Sequence, residues 1–189
     1  MASFTALYDS CTLYPAPLRD LLMHLALTDL FRARWTDQIH DEWIASLLKN
    51  RSDLTPEQLE RTRSLMNANV LDSLVTGYTH LIEGLTLPDP GDRHVLAAAI
   101  RCGASVIVTF NLDHFPSDYL ATFGIEPQHP DEFITHLIDL SPAAVCAAAK
   151  RHRASLKDPP KTCDQYLAAL ARQRLPETVT RFRDFQDLI

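Results

Sequence analysis

"VIVTFNLDHFP", residues 106–116, decides the fold. Val106, Ile107, Val108 and Thr109 suit a buried strand, and the run then gives way to Asn111, Asp113 and His114. In an open parallel sheet, ligands bind outside the carboxyl ends of the strands, so a strand that ends in polar side chains delivers them where chemistry is done. Just upstream, "RHVLAAAIRCG" (93–103) is an Ala-rich helix opened by Asp89-Pro90-Gly91-Asp92 and closed by Gly103. Helix, then buried strand, is one half of a βαβ unit.

The same alternation runs outward in both directions. "FTALYD" (4–9) reads as a strand, and "LRDLLMHLALTDLF" (18–31) follows as a helix behind Pro15 and Pro17. "RARWTDQI" (32–39) reads as a second strand, and "HDEWIASLLKN" (40–50) as a helix starting near His40 or Asp41. Thr55-Pro56-Glu57 opens a long helix through about residue 76, with Thr55 as cap and Pro56 at the first helical position. "THLIEGLTLP" (79–88) is expected as a short strand or extended segment ending in Pro88, 105–110 as the fourth strand and "FGIEPQH" (123–129) as the fifth. Beyond Pro130 only helical patterns remain, at 130–138, 141–154, 162–172 and 175–188. The expectation is an α/β sandwich with a mainly parallel five-stranded sheet over residues 1–129 and a helical C-terminal extension over 130–189.

Composition narrows the function. The 189 residues are 46% hydrophobic and 22% charged, which suits a globular chain and excludes a disordered one. No apolar run reaches the roughly 20 residues that span a bilayer, and "MASFTALYDSC" has no basic leader, so no membrane partner and a cytoplasmic location are expected. Cys11, Cys102, Cys146 and Cys163 are far apart and form no C-x-x-C pair, so reduced thiols are expected rather than a zinc or disulfide framework. Residues 1–129 carry 9 Lys and Arg against 16 Asp and Glu, whereas 130–189 carry 9 against 8. An acidic body is no general nucleic-acid footprint, so a polyanionic substrate would need local neutralisation.

Four acids stand at successive strand exits: Asp9, Glu42, Asp92 and Asp113. Singly, each has an ordinary explanation. Asp92 and Glu42 could oppose helix dipoles, Asp9 and Asp113 could sit in turns, and such placements contribute only about 0.3–1 kcal/mol. Together, with no Lys between residues 50 and 149, they ask for a cation. Two carboxylates ~4 Å apart repel by about 4 kcal/mol at an effective dielectric of 20, so several cannot stay ionised around an empty centre. Hard oxygen ligands favour Mg²⁺ or Mn²⁺.

"ALYDSCTLYP", "DEW", "LPDPGDRHVLAAAI" and "VIVTFNLDHFP" resemble the four signature stretches of PIN-domain ribonucleases, particularly the toxins of VapBC-type toxin–antitoxin pairs. The similarity covers about residues 4–129. It implies a PIN-like three-layer α/β/α sandwich, Mg²⁺ or Mn²⁺ held by acids, and an endoribonuclease that leaves a 5′-phosphate and a 3′-hydroxyl. The family's first three acids fall on Asp9, Glu42 and Asp92. For the fourth, Asn111 and His114 occupy the usual places with Asp113 between them; Asp113 is taken as the acid and Asn111 as the alternative oxygen donor. Ser10 and Thr109 are expected to orient the carboxylates by hydrogen bonds.

Grip on RNA would come from Arg93 and from Lys150, Arg151 and Arg153 in the basic stretch "KRHRASLKDPPK" (150–161), for which a solvated helix face is an equal reading. The toxin resemblance further implies a homodimer and a cognate small antitoxin lying on the apolar faces of the helices within 41–76. A phosphatase or receiver domain also places an Asp after its first strand, but wants a Lys near a later strand end that this chain lacks. The remaining alternative is a PIN-like RNA- or protein-binding module with weak or no catalysis.

Overall fold

The computed structural model describes residues 4–189. Its elements are β1 (Phe4–Tyr8), α1 (Ser10–Leu13), α2 (Ala16–Ala26), β2 (Phe31–Arg34), α3 (Asp37–Asn50), α4 (Pro56–Asn69), α5 (Arg93–Cys102), β3 (Val106–Val108), α6 (Ser117–Ala121), β4 (Glu126–Gln128), α7 (Pro130–Leu140), α8 (Pro142–Ser155), α9 (Cys163–Ala171) and α10 (Pro176–Arg183). They fall into two compact units, one holding the residues up to Tyr14 with Phe31–His129, the other Pro15–Leu30 with Pro130–Ile189.

In the first unit the four strands pair in parallel in the order β2-β1-β3-β4. The chain leaves β1 toward β2 on one side and comes back to β3 on the other, so the order reverses between β1 and β3. A crevice opens at such a switch point, outside the strands' carboxyl ends. Tyr8 pairs with Val108, and the next residues on the two strands are Asp9 and Thr109. Leu7, Tyr8, Ile107 and Val108 have no exposed surface, as expected of strands covered on both faces.

Four strands form among the described residues, not five. The segment expected as the third strand begins as a 3₁₀ turn, Thr79–Gly84. Leu85 and Leu87 that follow are buried in strand-like alternation, but the Thr86 N–H goes to the Tyr119 hydroxyl at 3.2 Å and Pro88 has no N–H to donate. The place beside β2 is instead touched by residues 73–75. Trp35 N–H donates to the Ser73 carbonyl at 3.0 Å and Val75 N–H to the Trp35 carbonyl at 2.8 Å, a single parallel bridge centred on Leu74.

The second strand is also shorter than expected, because Thr36 caps α3 by accepting the Ile39 N–H at 3.0 Å. That earlier start puts Asp37, not Glu42, in the first turn. Arg63 of α4 pairs with Asp37, Asp41 and Glu60, so α3's dipole and its nearby acids are served without Glu42. A buried polar chain fixes α3 against α4. Trp43 Nε1–H donates to His40 Nδ1 at 3.0 Å, and Asn67 Oδ1 accepts from Trp35 Nε1 at 2.8 Å and lies 3.1 Å from His40 Nε2. With Nδ1 accepting, His40 is neutral with its proton on Nε2, in keeping with burial that lowers its pKa.

In the second unit, α7 packs on α8 and α10, α2 packs on α8, and α10 packs on α9. The N-terminus of α10 has no cap of its own, since Leu175 precedes it. Asp131 of α7 supplies one, accepting the Glu177 N–H at 2.9 Å and the Thr178 N–H at 2.8 Å. This satisfies two of the four N–H groups that a helix start leaves unpaired. His152 of α8 is buried, with Nδ1 3.0 Å from the Tyr166 hydroxyl and its ring stacked 5.4 Å from that of His24. No helix among the described residues is long and apolar enough to cross a membrane.

Candidate metal centre

Asp9 follows β1 directly and is 2% exposed. Although it stands at the N-cap of the short α1, its side chain caps nothing. Its Oδ2 accepts instead from the Thr109 hydroxyl at 2.7 Å and from the Cys11 thiol at 3.1 Å, while Ser10 Oγ lies 3.4 Å from Oδ1. Two strand ends and the first turn of α1 therefore clamp one carboxylate oxygen and leave the other with a single long contact. Thr109 and Cys11 are themselves held, because the Asn111 N–H donates to Thr109 Oγ1 at 3.0 Å and the Phe110 N–H to Cys11 Sγ at 3.3 Å. Burial, and next the charge of Asp9, push the Cys11 thiol far above its usual range, which makes it a hydrogen-bond donor and a poor nucleophile.

Asp92 occupies the N-cap of α5, yet it too caps nothing. Asp89 holds the turn by accepting the Gly91 N–H at 2.7 Å, and Asp92 is free to point at His114, whose Nδ1 lies 2.7 Å from Asp92 Oδ2 and 3.9 Å from Asp89 Oδ2. One ligating atom from each of Asp89, Asp92 and His114 lies within 4.8 Å of the others. Partial burial raises the Asp92 pKa, the His114 contact opposes that, and the charges of Asp9 and Asp89 add to the rise. Asp9 is therefore an electrostatic neighbour of this group. His114 is correspondingly raised, chiefly by its bond to Asp92.

Glu42 of α3 meets α5 at a different point. Its Oε1 is 2.7 Å from His94 Nε2, short enough for a hydrogen bond but not aligned as one. His94 is 3% exposed, and neither ring nitrogen has a hydrogen-bond partner among the described residues. Glu42 keeps 36% of its side-chain surface. A cavity of about 310 Å³, lined by Ser10, Cys11, Tyr14, Trp43 and Ser46, adjoins the Asp9 turn.

Asp113 is not among the three residues whose ligating atoms cluster, Asp89, Asp92 and His114. Asp113 and Asn111 are exposed, on and just before the 3₁₀ turn Leu112–His114, and it is His114 that this turn aims at Asp92. Asp89, His114 and Cys11 are the contributors that sequence reasoning passed over. The signal for His114 was its position directly before Phe115, where the resemblance expects an acid. In the second unit Lys150 and Arg151 are exposed on α8, whereas Arg153 is committed to the carbonyls of Lys161 and Ile189, each at 3.1 Å. Arg93 Nε donates to the Pro90 carbonyl at 3.1 Å.

A four-stranded parallel sheet of this order flanked by helices, with acids at its strand exits, is consistent with a PIN-like α/β fold. Residues 130–184 match the family model described as the VapC50 C-terminal domain. The chain is also 41% identical over 107 residues to "Putative ribonuclease VapC50" of Mycobacterium tuberculosis (strain ATCC 25618 / H37Rv), an alignment covering 57% of this chain and 62% of that relative. The chain thus spans somewhat less than two thirds of the relative's length. No solved structure was found to match it. Over those stretches the chain is similar to VapC-type proteins.

Proposed function

We propose that the protein is a Mg²⁺- or Mn²⁺-dependent endoribonuclease, acting in the cytoplasm as the toxin of a toxin–antitoxin pair. The observation that carries the reading is the state of Asp9 and Asp92. Each sits at a helix start, neither caps its helix, and the charge of Asp9 raises the electrostatic cost of ionising Asp92. The donor set fits a divalent ion, being carboxylate oxygen with one imidazole within a span that a single ion can bridge. Asp92, Asp89 and His114 would hold it, and Asp9, whose charge reaches Asp92, would complete the set.

Bound there, such an ion supplies an activated water and charge stabilisation for phosphodiester hydrolysis. The chain's own part is orientation. Thr109 and Cys11 hold Asp9 Oδ2, leaving Oδ1 with a 3.4 Å contact to Ser10 Oγ, and Asp89 keeps the turn that places Asp92. Glu42, held beside buried His94, supplies further negative charge for a metal or for a water proton. No side-chain nucleophile is required. Lys150 and Arg151 remain candidates for phosphate contacts.

The partner reading draws support from the surface. Leu65 on α4 and Leu71 and Leu74 just after it are 52%, 82% and 37% exposed, within the stretch expected to receive an antitoxin. A homodimer is part of the same proposal. Incubating the purified chain with RNA in Mn²⁺, then mapping the cut ends, is expected to show new 5′-phosphate termini that vanish when EDTA is added. Cutting that persists unchanged in EDTA, or no cutting in either cation, would count against the reading.

A further inference from the structure

We propose that His114 is a direct nitrogen ligand and makes the centre select Mn²⁺ over Mg²⁺; this deepens the metal-dependent reading above and rests on it. Ligand atoms of one ion at 2.0–2.3 Å lie no more than about 4.6 Å apart, so the 4.8 Å span of Asp89, Asp92 and His114 is that of one coordination sphere with little adjustment. His114 is placed there by its backbone. Its N–H donates to the Asn111 carbonyl at 2.9 Å, closing the 3₁₀ turn, and Phe115 beside it is fully buried and anchors the turn. The ring presents Nδ1 rather than Nε2 to both carboxylates. The neighbouring acid that could have supplied oxygen instead, Asp113, is exposed and outside the group.

The chemistry follows from the donor. Mg²⁺ demands near-ideal octahedral oxygen and gives up water reluctantly, whereas first-row transition ions accept imidazole nitrogen. A centre with one such nitrogen among carboxylates keeps enough oxygen for Mn²⁺ and disfavours Mg²⁺. His114→Asp restores an all-oxygen set, and His114→Asn removes the nitrogen without adding charge. Because His114 is 40% exposed, both variants should fold, which circular dichroism checks.

The test is metal binding to the whole chain, by calorimetry with Mn²⁺ and Mg²⁺ separately and by pulsed electron paramagnetic resonance of the Mn²⁺-loaded protein. Expected for the parent is a Mn²⁺ affinity about tenfold or more above that for Mg²⁺, with nitrogen modulation from a coordinated imidazole. In His114→Asp the preference should shrink several-fold, and in both variants the modulation should disappear. Mn²⁺ bound without nitrogen modulation, or modulation that survives in both variants, would overturn the assignment while leaving the metal centre standing. Binding of neither ion by the parent would remove both.

Discussion

Asp9→Asn is expected to lower RNA cleavage by on the order of 10³-fold, equivalent to about 4 kcal/mol of lost transition-state stabilisation, and to leave the fold intact. The size follows from position. Asp9 follows β1 directly and is tied to the end of β3 through the Thr109 hydroxyl and to α1 through the Cys11 thiol, while its other oxygen has a long 3.4 Å contact with Ser10 Oγ. Asparagine keeps a carbonyl oxygen that can accept from Thr109 and Cys11, so the local hydrogen bonds persist. It also relieves Asp92 of a neighbouring charge. The melting midpoint without metal should therefore hold or rise, while the stabilisation gained on adding Mn²⁺ should fall. A variant that cleaves RNA within a few-fold of the parent would remove Asp9 from the mechanism.

Acidification is the second large effect, and it lies in the other unit. Burial, with a smaller contribution from the charge of His24, lowers the His152 pKa to about 4. An unfolded histidine titrates near 6.5, so the unfolded chain takes up the proton first and folding loses free energy as pH falls. The contribution of neutral His152 is complete above about pH 6.5 and declines through the window down to about 4, amounting in all to roughly 3 kcal/mol. Hydrogen exchange in peptides from α8 and α9 should report it as protection lost across that window. In His152→Gln, which can still bond the Tyr166 hydroxyl, the dependence on pH should be flatter than in the parent. Equal slopes for the two proteins would show that His152 is not held neutral.

Much of this architecture was legible because local signals agreed with the long-range pattern. Thr55-Pro56 and Gln58 do form a capping box at α4, Gly103 does close α5 in the left-handed conformation at φ 64°, and the helices after Pro130 fall where their apolar periodicity put them. The errors came where tertiary partners decide. "THLIEGLTLP" has the alternation of a strand, but strand identity needs a neighbour to bond with, and residues 73–75 hold that edge. Residues 35–39 carry no apolar periodicity that separates strand from helix, so the start of α3 rested on Thr36, a cap whose role shows only once Ile39 turns back to it.

The site was legible to the level of strand exits and no further. Spacing brings Asp9 and Asp92 to the same rim, and the structure makes them electrostatic neighbours. It could not tell which of Asn111, Asp113 and His114 faces inward, because a 3₁₀ turn of three residues rotates each successive side chain by about 120°. In the structure it is the imidazole that meets Asp92, its Nδ1 lying 2.7 Å from Oδ2. Asp89, plain in sequence as a cap, keeps that role and adds its second oxygen to the group.

The most direct measurement is anomalous diffraction at the manganese edge from crystals equilibrated in Mn²⁺. A peak within bonding distance of Asp9 and Asp92 carboxylate oxygens is the predicted result. Crystals that bind no ion there, with both carboxylates turned away from the crevice between β1 and β3, would contradict the account.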